Sequence, residues 1–338
     1  MPSTIKDIAK AAKVSRSTVS RVLNDSGYVK EETRTRVLAV IEELNYSPSA
    51  IARSLSNKRS NTIGVIVPDI NNPFFAEMIK GVTRVADQEG YRLLLVDSDE
   101  DNGKEQLALQ AFQEQRIEGL LIVATPAKDK KSLEHLRWMR AHHIPIVLLD
   151  GHVKYDEFDG VFIDHYQGAH DATIALIQAG HNRIGILTGK LLSRPAMERL
   201  RGFQDATAEC KLLSYDEDIL FGDYGHEKAY HLTKEMLMRK KRPSALFVSS
   251  NQMVLGMMRA VSELGMKIPQ DLAFIGFDQL ETLNLIGMNC STVDAHTVEV
   301  GELSMKRLIQ RLENEKLETA HTVLQPDLSL RGSEAYLK

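Results

Sequence analysis

From Thr62 onward the chain repeatedly sets a short, unbroken apolar run against a longer stretch of helical periodicity. The runs are Ile63-Gly64-Val65-Ile66-Val67, Leu93-Leu94-Leu95-Val96, Leu120-Leu121-Ile122-Val123, Ile146-Val147-Leu148-Leu149, Ile184-Gly185-Ile186-Leu187, Ala245-Leu246-Phe247-Val248 and Phe274-Ile275-Gly276-Phe277. Runs that do not alternate with polar residues are what strands covered on both faces require. Between them, Phe74–Glu89, Gln106–Gln115, Asp171–Ala179, Glu227–Arg239 and Val254–Leu264 carry apolar residues at helical spacing. Strand and helix in alternation imply βαβ units and parallel sheets, and two sets of runs divided near Gly160 predict two doubly wound α/β lobes. Ligands of such sheets bind beyond the carboxyl ends of the strands. Polar residues stand at those ends: Asp69, Asp97, Thr125, Asp150, Ser249-Ser250-Asn251 and Asp278.

The first sixty residues have a different texture, with helical patterns only. Ile5, Ile8, Ala9 and Ala12 follow a possible capping pair, Thr4 and Asp7. A break at Lys13-Val14-Ser15 leaves Ser15 to cap a second helix through Leu23, buried by Val19, Val22 and Leu23. A third helix from about Glu31 to Leu44 is expected to bury Val37, Leu38, Ile41 and Leu44. Residues 1–60 hold 11 Lys/Arg against 6 Asp/Glu, which leaves 31 against 40 for the rest, so a basic arm precedes an acidic body. With 338 residues the chain exceeds the roughly 250–300 at which one core stops growing. Three units are predicted: 1–46, a linker at 47–61, and 62–338. The last divides into lobes of 62–160 with 293–320 and 161–292 with 321–338. Cys210 and Cys290 lack the spacing of a metal or redox pair. No export leader and no apolar run near the ~18–20 residues of a membrane span is visible, so a cytoplasmic protein without a membrane association is expected.

The segment Thr4-Ile5-Lys6-Asp7-Ile8-Ala9-Lys10-Ala11-Ala12-Lys13-Val14-Ser15-Arg16-Ser17-Thr18-Val19-Ser20-Arg21-Val22-Leu23-Asn24 resembles the helix-turn-helix headpiece of the lactose-repressor/galactose-repressor (LacI/GalR) family of transcription regulators. Small residues at Ala9, Ala12 and Ser15 let two helices cross closely, and the second helix turns Arg16, Ser17, Ser20 and Arg21 outward toward a major groove. The resemblance implies base reading by Arg16, Ser17 and Arg21, and phosphate contacts by Thr4, Ser15, Thr18, Ser20 and Asn24. Tyr46-Ser47-Pro48-Ser49-Ala50-Ile51-Ala52-Arg53-Ser54-Leu55 is similar to the family's hinge helix, which enters the minor groove. There Ala52 and Arg53 match groove positions and Leu55 matches the residue that wedges a central base step.

The likeness extends to about Arg331 and implies a two-lobed sensor resembling type I periplasmic binding proteins. Val67-Pro68-Asp69-Ile70-Asn71-Asn72-Pro73-Phe74-Phe75 matches the family's cleft entrance. Phe74, Phe75, Asp150, Arg199, Tyr224, Ser250, Asn251 and Asp278 match its pocket, with Arg199 and Asp278 expected to face one another across the cleft. A guanidinium fork and carboxylates suit paired hydroxyls, and an aromatic face suits the apolar side of a sugar. Two departures stand out. Ser250-Asn251-Gln252-Met253-Val254 replaces the usual Asn-Asp-x-Met-Ala, and Ser291-Thr292-Val293-Asp294-Ala295-His296 replaces the usual Thr-Thr-Val-x-Gln-Pro crossover. The pattern used for purines is not reproduced around Ser193-Arg194-Pro195. Gly185–Lys190 lacks the spacing of a phosphate loop, and His142, His143, His165 and His170 read as solvated, so neither a cofactor, a metal nor an enzymatic activity is expected. Of the rival classes, a periplasmic sugar receptor would need an export signal and has no use for a basic headpiece, and a carbohydrate-processing enzyme would need a catalytic constellation in the cleft, where none is visible. The expectation is a homodimeric repressor of double-stranded operator DNA, controlled by a small polar effector between its lobes.

Overall fold

The computed structural model describes residues 4–23, 25–44, 46, 60–124, 131–151, 157–279, 283 and 285–336. It divides into two compact units, Met1–Asn61 and Thr62–Lys338. Asn24 and the hinge residues Ala52, Arg53 and Leu55 lie outside the described residues, as does Thr125.

The first unit is built from α1 (Ile5–Ala11), α2 (Arg16–Leu23) and α3 (Glu31–Glu43). Ile8, Ala9, Ala12, Val19, Val22 and Val37 make one buried cluster, with Val14, Leu23, Val40, Ile41 and Leu44 packed around it. Leu38, expected inside, is 49% exposed. The helical turn explains the difference: Val37, Ile41 and Leu44 share a stripe, Val40 completes it, and Leu38 is carried off its edge.

Along the second unit run β1 (Thr62–Val67), α4 (Pro73–Gln88), β2 (Arg92–Asp97), α5 (Asn102–Gln115), β3 (Gly119–Ile122), α6 (Lys131–Ala141), β4 (Ile146–Leu149), β5 (Asp159–Ile163), α7 (His165–Gln178), β6 (Ile184–Thr188), α8 (Arg194–Glu209), β7 (Ile219–Phe221), α9 (His226–Leu237), β8 (Ala245–Val248), α10 (Asn251–Glu263), β9 (Ala273–Phe277), β10 (Thr292–Asp294), α11 (Thr297–Glu313), β11 (His321–Leu324) and β12 (Asp327–Ser329). The strands form two six-stranded sheets, ordered β11-β5-β4-β3-β1-β2 and β12-β10-β9-β8-β6-β7. Only β12 runs antiparallel, against β10. All seven apolar runs are strands. β3, β4, β6, β8 and β9 are buried along their whole length, as their unbroken apolar sequence requires. β2 is the exception, because it is an edge strand paired only with β1, and Leu94 and Leu95 are partly open to solvent.

The chain passes between the sheets at Asp164, at Ala295–His296 and at Gln325–Pro326. The lobe limits read from sequence are therefore corrected at each crossing. Gly160 lies inside β5, so the first sheet continues through Ile163, and β10 keeps residues through Asp294 in the second. The strand His321–Leu324, assigned by sequence to the second lobe, pairs with β5 in the first. Its polar, exposed edge sequence gave no apolar run to reveal it. The helices α4 and α11 cross at backbone distance: a Cβ on Gly301 would lie 2.0 Å from the Met78 carbonyl oxygen. Glycine there lets the chain's last long helix seal the first lobe after the second crossing.

Candidate functional site

The headpiece positions one helix with Arg16, Ser17 and Arg21 exposed on its polar face. The Thr4 backbone N–H and hydroxyl donate to the Asp7 carboxylate at 2.9 and 2.6 Å, closing the first turn of α1. Ser15 caps α2, its Oγ accepting from the Thr18 N–H at 3.1 Å. The Ser15 hydroxyl also meets those of Ser17 and Thr18 at 2.7 and 2.9 Å. Val19 and Val22 are buried, while Arg16, Ser17 and Arg21 are exposed and Thr18 and Ser20 half-buried. A short amphipathic helix is thereby anchored by its valines and presents two guanidinium groups and a hydroxyl outward, the donors and acceptors that base edges match.

In the second unit the functional side chains gather at the carboxyl ends of strands from both sheets. Asp150 follows β4 in the first lobe with a left-handed backbone, φ 49°, and is 4% exposed. His165 opens α7 immediately after the first crossing. Its Nε2 lies 2.9 and 3.0 Å from the two Asp150 carboxylate oxygens. On its other side Nδ1 accepts from Arg199 Nε at 3.2 Å and Nη2 at 3.1 Å. Arg199 comes from α8 in the second lobe, donates Nη1 to the Ser249 carbonyl, and lies with Cζ 3.7 Å from the centre of the Phe277 ring. The α7–α8 approach that sets this geometry depends on Gly202, where a Cβ would stand 2.3 Å from the Tyr166 carbonyl oxygen.

Electrostatics agree with the contacts. Burial raises the cost of the Asp150 charge, but His165 and Arg199 outweigh it and hold its carboxyl below the usual range. Burial pushes His165 down, Arg199 adds to this, and Asp150 opposes it. The triplet is thus carboxylate, neutral imidazole and guanidinium, with the imidazole proton on Nε2 assigned from its two partners. Asp278, at the end of β9, is pushed up to about 7, chiefly by burial, with Arg199 opposing and Asp150, Asp294 and Glu77 reinforcing. Its Oδ1 and the Asn251 Nδ2 are buried without a hydrogen-bond partner among the described residues. Both line a cavity of about 430 Å³ together with Phe74, Asp294 and Ala295. Unsatisfied buried polar atoms are costly unless something else meets them.

Of the eight residues expected in the cleft, Phe74, Asn251 and Asp278 line this cavity, while Asp150 and Arg199 belong to the charged triplet beside it. Tyr224, φ 63°, brings its hydroxyl 3.3 Å from Ser193 Oγ, and its electrostatic partners are Arg199, Asp150 and Asp278. Ser250 caps α10 through the Met253 N–H, 3.3 Å away. Phe75 meets Phe74 edge to face at 5.1 Å and packs against the core. Two expectations are overturned. Arg199 and Asp278 do not oppose each other across the lobes, since α8 and β9 both belong to the second; Asp150 supplies the first lobe's charge. His165, read as solvated, is 4% exposed and joins Asp150 to Arg199. Its position two residues beyond the end of a buried strand, Asp159–Ile163, was the signal available; the division placed near Gly160 cut through that strand. His170 likewise has an acidic partner, Glu209 at 3.0 Å from Nε2.

Among the described residues no helix is long and apolar enough to cross a membrane, and no group of three or more His, Cys, Asp or Glu side chains is placed to hold a metal. A helix-turn-helix unit on a two-sheet binding domain defines a ligand-controlled DNA-binding regulator. Residues 4–49 match the family model for bacterial regulatory proteins of the lacI family, and residues 60–330 match that for periplasmic binding proteins and the sugar binding domain of the LacI family. The chain belongs to the LacI family: it is a transcription regulator with a DNA-binding headpiece and a domain for small-molecule effectors. It is 34% identical over 336 residues to the ribose operon repressor of Haemophilus influenzae, covering 99% of this chain and 100% of that one. It is equally 34% identical over 336 residues to the transcriptional repressor PurR of Klebsiella pneumoniae, covering 98% and 97%. The lac repressor dimer bound to operator and the anti-inducer ONPF superposes with a TM-score of 0.88 at 26% identity, over 99% of this chain and 100% of that one.

Proposed function

We propose that this protein is a homodimeric repressor whose operator affinity is set by an uncharged polyhydroxyl effector of monosaccharide size, with a pentose such as ribose as the first candidate. The observation that carries the effector class is the cavity wall, where one buried acceptor, Asp278 Oδ1, and one buried donor, Asn251 Nδ2, await partners. A sugar hydroxyl is both donor and acceptor and satisfies either atom. The wall holds Glu77, Asp278, Asp294, Glu299 and Glu302 and, among the described residues, no lysine or arginine, which opposes a phosphorylated effector. Among the described residues its rings are Phe74 and the smaller His296 imidazole, where a planar base calls for a broad stacking surface. The name of the Haemophilus influenzae relative agrees with this reading.

At the other end, Arg16, Ser17 and Arg21 read bases while Thr4, Ser15, Thr18, Ser20 and Asn24 hold phosphates. Two hinge segments carrying Ala52, Arg53 and Leu55 enter the minor groove at the centre of a pseudo-palindrome. Lobe geometry, set by the effector, then biases the hinges and so the operator, and by linkage the operator biases the effector. The test is a titration of operator DNA with the full-length dimer in the absence and presence of D-ribose, ribose 5-phosphate and hypoxanthine. Ribose alone is expected to change operator affinity. Asp278→Ala is expected to remove that response while leaving ligand-free operator binding within several-fold. A response to ribose 5-phosphate or hypoxanthine instead of ribose defeats the assignment.

A further inference from the structure

The cavity has a second wall that Asp278 and Asn251 do not reach. It is the chain crossing itself, Asp294-Ala295-His296-Thr297, with Gln279 beside it. Here the sequence departs from the family pattern, with Ala295 and His296 where glutamine and proline are usual. The departure is one of shape as well as chemistry. His296 has a left-handed backbone, φ 51°, which a proline ring, fixed at about −65°, does not adopt. The His296 N–H donates to Asp294 Oδ1 at 2.9 Å, and the turn so formed puts His296 on the cavity wall. From outside, Asp327 Oδ2 holds the ring by Nε2 at 3.1 Å. A carboxylate only accepts, so the neutral ring donates Nε2–H to it and leaves Nδ1 as an acceptor. That nitrogen is 3.9 Å from Asp294 Oδ1, beyond hydrogen-bond reach, and no described residue bonds to it. Gln279 directs its amide donor to Asp294 Oδ2 at 2.7 Å. What the crossing still presents is therefore acceptors: His296 Nδ1 and the remaining lone pairs of Asp294.

We propose that this crossing is a second subsite for effector hydroxyls, with His296 as its specificity-determining residue accepting a sugar O–H through Nδ1. This rests on the cavity being the effector site. Asp278 and Asp294 stand at the ends of neighbouring strands, β9 and β10, and the Asp278 N–H donates to the Val293 carbonyl at 2.9 Å. Neighbouring strands lie about 4.8 Å apart, so one small sugar spans both walls. The ligand class narrows accordingly, to a neutral sugar that meets Asp278 and Asn251 on one side and donates a hydroxyl to the crossing on the other. A sugar lacking that one hydroxyl leaves the imidazole acceptor without its donor and is rejected.

The test is calorimetry at pH 8 with D-ribose and each of its singly deoxygenated forms, on the full-length wild type, His296→Gly and His296→Asn. Glycine and asparagine both tolerate the left-handed backbone, and asparagine restores an acceptor near the place of Nδ1. Wild type is expected to disfavour the form that lacks the contacted hydroxyl by about tenfold or more. In His296→Gly that one penalty is expected to shrink to within twofold while the others persist, and His296→Asn to restore most of it. Penalties that all persist in His296→Gly overturn the proposal, because His296 then touches no hydroxyl. Penalties that all shrink together overturn it as well, because His296 then only shapes the crossing. If ribose binds wild type and either result follows, the subsite falls and the effector assignment stands; if neither ribose nor any deoxy form binds wild type, both fall. Should ribose binding to His296→Gly be too weak to measure, the ¹⁵N shift of His296 Nδ1 in wild type decides: ribose is expected to move it as an accepted hydrogen bond does, and an unchanged shift at saturating ribose overturns the contact.

Discussion

Single side chains carry the sharpest expectations. Arg16 is exposed on the outer face of α2, whose inner face is fixed by Val19 and Val22, so its removal leaves the headpiece core intact. Arg16→Ala is expected to cost about 1–3 kcal/mol on the specific operator and little on random DNA, because a base contact carries discrimination and a phosphate contact does not. Equal losses on both, measured by fluorescence anisotropy, would assign Arg16 to the backbone instead. Asp278 makes a prediction of opposite character, about pH. Its carboxyl is raised from its ordinary 3.8 to about 7 in the fold, so its contribution to stability is complete below about pH 4 and lost as pH rises through 7. His165, which is depressed, has the reverse sign and loses its contribution as pH falls below its ordinary 6.5. Comparing Asp278→Asn with wild type separates the two: the variant's melting temperature should exceed that of ligand-free wild type by more at pH 8 than at pH 5. A difference that does not change with pH removes Asp278 from the titrating cluster.

At the scale of elements, the site depends on how closely helices pack. Gly202 brings α8 against α7, and the same contact sets Arg199 beside His165. Gly202→Ala forces a methyl group against the Tyr166 carbonyl and is expected to cost about 1–3 kcal/mol of stability, as overpacking does. The shift of α8 should also weaken ribose binding severalfold, read by calorimetry on the folded variant. A lowered melting temperature with unchanged ribose affinity would show that Arg199 keeps its place without this contact.

For the whole molecule the basic headpiece and the acidic body have separate roles, and salt distinguishes them. Operator affinity is expected to fall about a thousandfold between 50 and 200 mM salt, the scale for roughly six phosphate contacts. Affinity for uncharged ribose should hardly move over that range, since no ion pair forms on binding. Operator affinity insensitive to salt would exclude phosphate neutralisation by the lysines and arginines of the basic headpiece.

Much of this protein was legible in the sequence because it rests on local patterns. Unbroken apolar runs such as Leu120–Val123 and Ala245–Val248 declare strands that are covered on both faces, whatever lies around them. The headpiece motif declares a helix that must expose Arg16 and Arg21 to bury Val19 and Val22. Asp278 was placed by the strand that ends just before it. Pairing and burial across long sequence distances were not legible. The strand His321–Leu324 has a polar edge sequence and owes its place to β5, some 160 residues away. His165 has nothing in its neighbours to mark it, and only the packing of α7 on α8 and the meeting of two lobes put a guanidinium on one of its nitrogens and a carboxylate on the other. Local sequence determined which elements form and which faces they bury. The tertiary structure decided which charges share a low-dielectric interior, and there a solvated-looking histidine came to lie buried between a carboxylate and a guanidinium, because desolvation and charge act through space rather than along the chain.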